Sequence, residues 1–361
     1  MLILMHVLAI MGGVSIVAAS LTSAVRTLVL PRSMRDPFTY GLFTVVRGFF
    51  LIGNRARTYS ERDRIMAFYA PIALLLLPVM WLTLVGIGYM FVFWGLDISS
   101  LREAFFLSGS SVFTLGTTTT TTVLGHVIMF SEAIIGLLLM ALLISFLPTM
   151  YAAFSRREVA VTRLEYRAGV SPSGVQLLIR FYTYDMIDLF PELWNAWENW
   201  FIEIEENHTS FPSLIFFRSP RPERSWITAA GVILDAAVLT FAVLDTPRDP
   251  RTYLCYHAGY TSLRRIASVL SLSFPEIPDE HTPITIARTE FDEACDELAQ
   301  AGIPLKPDLD AAWQTFKTMR AHYDAVLVLL AAVTQAPRAR WSSDRSILLS
   351  QTRRQLQDDR G

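Results

Sequence analysis

At 361 residues the chain has room for two or three domains, and 52% of it is apolar, with a mean hydropathy of +0.37. That is too apolar for an ordinary soluble protein, and a formal net charge of −2 argues against a nucleic-acid partner, which wants a basic face. Only Cys255 and Cys295 occur, with no CxxC or His/Cys cluster, so the expectation is free thiols in a reducing compartment and no zinc site.

In chain order, residues 2–25 (LILMHVLAIMGGVSIVAASLTSAV) come first, with one His and no formal charge. A spanning helix needs roughly 20 apolar residues, so this stretch qualifies. It lacks the basic n-region of a cleaved signal peptide and reads as a retained anchor. The connector 26–65 follows, with Arg26, Arg32, Arg35, Arg47, Arg55, Arg57, Arg62 and Arg64 against Asp36, Glu61 and Asp63. Within it FTYGLFTVVRGFFLIG (38–53) is short for a span and has Arg47 at its middle. It predicts an interfacial helix on the inner leaflet; the competing reading is a plain cytoplasmic helix packed on the soluble domain.

A second span is predicted over 66–95 and a third over 127–150, the latter carrying Glu132 alone among charged residues. The stretch after it is basic again, with Arg156, Arg157, Arg163 and Arg167. Basic residues stay on the cytoplasmic side, so the N-terminus is expected outside, the connector inside, the 96–125 loop outside and residues 155–361 inside. Arg outnumbers Lys 29 to 2, which suggests a GC-rich bacterial genome and hence a bacterial inner membrane.

The 96–125 loop carries the chemistry. Ser99 or Ser100 can cap a short helix with Glu103 in its first turn. That helix, 101–113, runs through SGSSVFTLG into a run of six threonines, 117–122. Dipping into a membrane from outside, it would aim its partial negative charge inward. The non-helical backbone after it would survive at that depth only by lining a watery cavity.

The order of apolar span, Ser/Thr-rich short helix, T-x-G and apolar span resembles the potassium-channel-like superfamily over about 66–155. The resemblance implies a two-span pore-loop module; with the extra N-terminal span and a helical cytoplasmic domain, the expected fold is an all-α membrane protein. It implies a homotetramer in membrane lipid, passing K+ and/or Na+ with no other cofactor. The family's T-V-G-Y-G filter maps onto Thr114, Leu115, Gly116, Thr117 and Thr118. The backbone carbonyls of Thr114–Gly116, with the Thr114 hydroxyl, would replace a cation's hydration shell. Thr118 stands where the family has its second glycine, and threonine is stiff and poor at positive φ. The implied pore is weakly selective among monovalent cations. By the same resemblance Gly136 is a candidate gating hinge, close helix packing being the other reading. Glu132 is a candidate brace for the pore helix, and Leu143, Phe146 and Leu147 are candidate gate-lining residues.

Residues 155–361 lack strand alternation, a GxGxxG motif and a β-roll pattern. Helical periodicity is clear over 174–190, 286–300 and 310–333, with Pro-rich loops at 209–225 and 272–284. The apolar stretch 226–244 is long enough to cross a membrane, but Asp235 at its centre makes a buried core helix the better reading. Two charged segments invite sharper readings: FFRSPRPERSW (216–226) as an anion-binding loop before a helix, and IEIEENHTS (Glu203, Glu205, Glu206, His208) as a divalent-cation sensor. Capping and solvation explain each as well. The last twenty residues read as a frayed or flexible tail. The expected function is a cation channel gated by its helical domain; the alternative is a non-conducting, channel-derived sensor or scaffold. An enzyme is least supported, since the spans hold no nucleophile–base pair.

Overall fold

The computed structural model describes residues 2–28, 36–52, 58–170, 172–275, 278 and 282–345. Arg32, Arg35, Arg55, Arg57, part of the 272–284 loop and the tail after 345 lie outside the described residues. The described chain is all-helical; its sole β feature is an isolated bridge between Leu244 and Leu305. Three helices are long and apolar enough to cross a membrane, by length and composition. Contacts divide the chain into two bodies, one of residues 1–57 with 65–152, the other of 58–64 with 153–361.

In the first body α1 (Leu2–Leu28) lies along α4 (Tyr69–Gly95). Glycines permit it: a Cβ on Gly88 would stand 2.8 Å from the Gly13 carbonyl oxygen, so a side chain there would push the helices apart. Near the other end of α1 the Trp81 indole donates to Ser23 Oγ (2.9 Å), and Ser23 donates to Asp36 Oδ2 (2.7 Å). Asp36 also accepts the Thr39 amide (2.7 Å), so one buried carboxylate pins the start of α2 (Pro37–Ile52). Helix α2 packs on α4 and leaves Tyr40, Val45, Phe49 and Ile52 exposed. Helix α3 (Tyr59–Met66) precedes α4 with two residues between them, and α5 (Leu101–Val112) follows it. Helix α6 runs unbroken from Val123 to Ala168, 46 residues, well beyond the predicted span. Pro148 lies inside it rather than at its end.

The second body is built around α9 (Trp226–Ala242), nearly every residue of which is buried. Helices α7 (Gly174–Thr183), α10 (Pro250–Val269), α12 (Leu309–Ala321) and α13 (Asp324–Thr334) pack on it, and α8 (Phe190–Ser210) packs on α10. A helix covered this fully must be apolar all round, which is why 226–244 mimics a membrane span. Its one carboxylate, Asp235, is met by Arg320 and by the Tyr323 hydroxyl (2.8 Å). Arg320, itself fully buried, also donates to Asp324 (2.8 Å) and to the Trp341 carbonyl. Lys306 caps the far end, donating to the Phe241 (2.7 Å) and Ala242 (3.1 Å) carbonyls. Helix α11 (Arg288–Gln300) packs on α7. The stretch 310–333 forms two helices, because the chain turns at His322–Tyr323. Both cysteines are free and buried in this body.

Candidate functional site

Helix α5 begins where its sequence indicates. Ser100 Oγ accepts the Glu103 amide (3.3 Å) and the Glu103 carboxylate accepts the Ser100 amide (3.0 Å), a complete capping box. Its other end closes in a left-handed turn: the Thr114 amide donates to the Ser111 carbonyl (3.0 Å) and the Leu115 amide to that of Ser110 (2.8 Å). The left-handed position is Thr114 itself, at φ +54°, where glycine is usual. For a β-branched residue this is a strained backbone, at a cost of roughly 1–2 kcal/mol. Gly116 is also left-handed, at φ +67°, while Thr117 and Thr118 are not.

Thr114, Leu115, Gly116 and Thr117 are exposed, with Thr118 half-buried. The Thr114 hydroxyl donates to the Phe113 carbonyl (2.7 Å), a different use from the expected ion contact. Among the described residues no donor reaches the Thr114, Leu115 or Gly116 carbonyls. The run of threonines then folds back on α5, with the Thr118 amide donating to the buried Ser110 hydroxyl (3.1 Å). Thr122 Oγ1 accepts the Gly125 amide (3.1 Å) and so starts α6.

Glu132 is fully buried and sits 2.5 Å from Ser108 Oγ, which also lies 2.8 Å from the Gly86 carbonyl. One chain of contacts thus joins α4, α5 and α6. Ser108 has a single proton for two acceptors, and the second carboxyl oxygen of Glu132 has no partner. Tyr89 and Ser131 share a further bond between α4 and α6 (2.9 Å). One turn beyond Glu132, a Cβ on Gly136 would collide with the Val112 carbonyl, so the end of α5 rests directly on the α6 backbone. That contact accounts for the glycine, in a helix that is unbroken there. Phe146 is buried, Leu143 and Leu147 half-buried. On another face Val127, Phe130, Ile134, Leu137 and Ile144 form an exposed apolar stripe at helical spacing.

Most charges of the two charged segments of the C-terminal body are paired. Arg218 pairs with Asp63 and Arg224 with Glu165, while the exposed Arg221 lies 3.7 Å from the same Glu165 carboxylate. Glu203 pairs with Arg156 and Glu205 with Arg265, while His208 is buried against Arg157. No metal-holding cluster occurs among the described residues. Sequence reading missed Ser108 as the partner of Glu132, and it missed the two buried arginines, Arg157 and Arg320. Ser108 lies a helical turn from Ala104, on the buried side of α5, which was the signal available.

No family model, curated protein or solved structure matches this chain.

Proposed function

We propose that this chain is one subunit of a homotetrameric, potassium-channel-like cation channel, weakly selective among monovalent cations and gated by its C-terminal helical body. The observation that carries the reading is the hand-over at the end of α5. A short capped helix, held by α4 and α6, delivers three consecutive carbonyls with no protein donor, at Thr114, Leu115 and Gly116. Oxygen groups of this kind replace a cation's water, and an unpaired carbonyl at membrane depth needs such a ligand. One subunit cannot enclose an axis, and the exposed stripe on α6 offers the apolar face on which copies would meet.

The threonines account for the weak selectivity. Neither Thr117 nor Thr118 adopts the positive φ that the family's second glycine supplies, so the outer carbonyls are not presented in the family's way. The basic segments 26–64 and 156–167 favour an inner-membrane protein with its N-terminus outside and its C-terminal body in the cytoplasm. Lipid, the other subunits and permeant K+ or Na+ are its partners, and no enzymatic step is assigned.

Purified protein in liposomes tests this. Potassium and sodium should both flow and anions hardly at all, with a reversal potential close to zero under opposed K+ and Na+ gradients. Replacing Thr117→Tyr together with Thr118→Gly should move that potential toward the potassium value. Liposomes that stay tight to both cations would favour a channel-derived sensor or scaffold instead.

A further inference from the structure

In the second body one short loop is held through two arginines, the buried Arg157 from α6 and the loop's own Arg218. Residues 214–218 run from a 3-10 turn (Pro212–Phe216) toward α9. Arg157, on α6, donates to the Leu214 carbonyl (2.8 Å) and the Phe217 carbonyl (2.7 Å), and the Phe154 ring lies tilted against that of Phe217 with centres 5.6 Å apart. The next residue, Arg218, ion-pairs with Asp63 and donates to the Thr334 carbonyl at the end of α13 (2.9 Å). Both side chains of that ion pair are about nine-tenths buried, at 11% and 10% exposure, which separates it from a solvated surface bridge. Gln335 ends α13 in a left-handed turn, and its carbonyl accepts the Tyr59 hydroxyl (3.4 Å) beside Asp63.

Position in the chain gives these contacts their meaning. Asp63 and Tyr59 lie on α3, which leads into α4 through Ala67 and Phe68 alone; Phe68 is itself in helical conformation and accepts the Ile72 amide (3.0 Å). Arg157 lies on α6, unbroken from Val123. The cavity beside the loop, lined among others by Asp63, Arg218, Ser219, Arg224 and Thr334, has a volume of about 20 Å³, room for a water rather than a ligand.

We propose that residues 214–218 form a yoke that ties the helix entering α4 to the helix continuing from α6, so that the C-terminal body moves the two together. Its effect on gating rests on the channel reading; the mechanical tie does not. Release of Asp63 frees Arg218, loosens the loop and slackens the grip of Arg157 on it.

Hydrogen exchange of the purified full-length chain tests the tie. In Asp63→Asn, amides of 58–66, 214–218 and 153–160 should all exchange faster, by about tenfold, the factor expected for loss of one charge-assisted hydrogen bond. A control at an exposed pair outside these windows, Asp310→Asn, which removes one partner of Arg288, should leave all three unchanged. Faster exchange confined to 58–66, or none, would overturn the yoke. If Asp63→Asn does not fold, Arg218→Lys keeps the charge but cannot fork to both Asp63 and Thr334, and must give the same three-part pattern more weakly. Single-channel recording of these variants should then show an altered open probability. Spread of exchange without current in any variant would sink the channel reading and leave the yoke standing; current with exchange confined to 58–66 would do the reverse.

Discussion

His208 sets a pH dependence by its surroundings. Its Nδ1 donates to the Ile204 carbonyl (2.7 Å), which leaves Nε2 to accept from Arg157 (3.1 Å), and only the neutral ring can do both. Burial first, and then the Arg157 guanidinium, push it down from 6.5 to about 3. Below pH 6.5 the unfolded chain takes up a proton that the folded one refuses, so the contribution is complete above that value and shrinks as pH falls toward 3. From pH 6.5 to 5 the loss should be about 2 kcal/mol, and His208→Gln, which can still accept from Arg157, should lack that slope. Thermal unfolding of the two proteins at both pH values checks it; parallel curves would show that the ring is protonated in place. None of this was legible in the sequence, where Glu203, Glu205, Glu206 and His208 resemble a solvated helix end. Which of four polar residues turns inward depends on Trp200, Trp226 and Arg157, two of them far along the chain.

Among elements, α5 was read closely, and for a local reason: a capping box is written in residues 100–103, and the left-handed close follows within the next turns. Helix α6 was read short. Pro148 looks like a stop because proline removes a helical donor, yet the helix continues on both sides of it through side chains that pack in the second body, such as Val161 and Leu164. Helix α9 was placed correctly in the core, but the partner of Asp235 lies 85 residues away and no local pattern announces Arg320. The three-helix joint at Glu132 yields a sharp contrast. Glu132→Gln keeps a hydrogen-bond partner for Ser108 and should assemble like the native chain. Glu132→Ala leaves Ser108 with no side-chain partner on α6 and opens a cavity, at a cost of about 2–3 kcal/mol. Detergent-resistant assembly on native gels separates the two; equal behaviour would mean that the joint carries no weight.

At the scale of the molecule, the proposed function requires four copies. Native mass measurement in mild detergent should give a tetramer, and a chain ended after Ala152, where the first body stops, should still assemble. A monomer with full cation flux would refute the pore, while failure of the short chain to assemble would make the second body a structural partner of the first. The broad division into an apolar N-terminal part and a globular helical remainder was visible in hydropathy alone. The allocation of residues 58–64 to the later body was not, because it depends on Asp63 meeting Arg218 across 155 residues. The continuity of α6 has one more consequence. An α-helix turns about 100° and advances about 1.5 Å per residue, so an unbroken shaft transmits rotational phase as well as length. A single residue inserted near 152 would turn Arg157 about 100° around the axis relative to Phe146 upstream on the same helix. Seven inserted residues would bring it back to within about 20° of its heading, some 10 Å farther along. Along α6 the spacing between Phe146 and Arg157 behaves as an angle, and evolution can lengthen it only in steps that keep time with the helix.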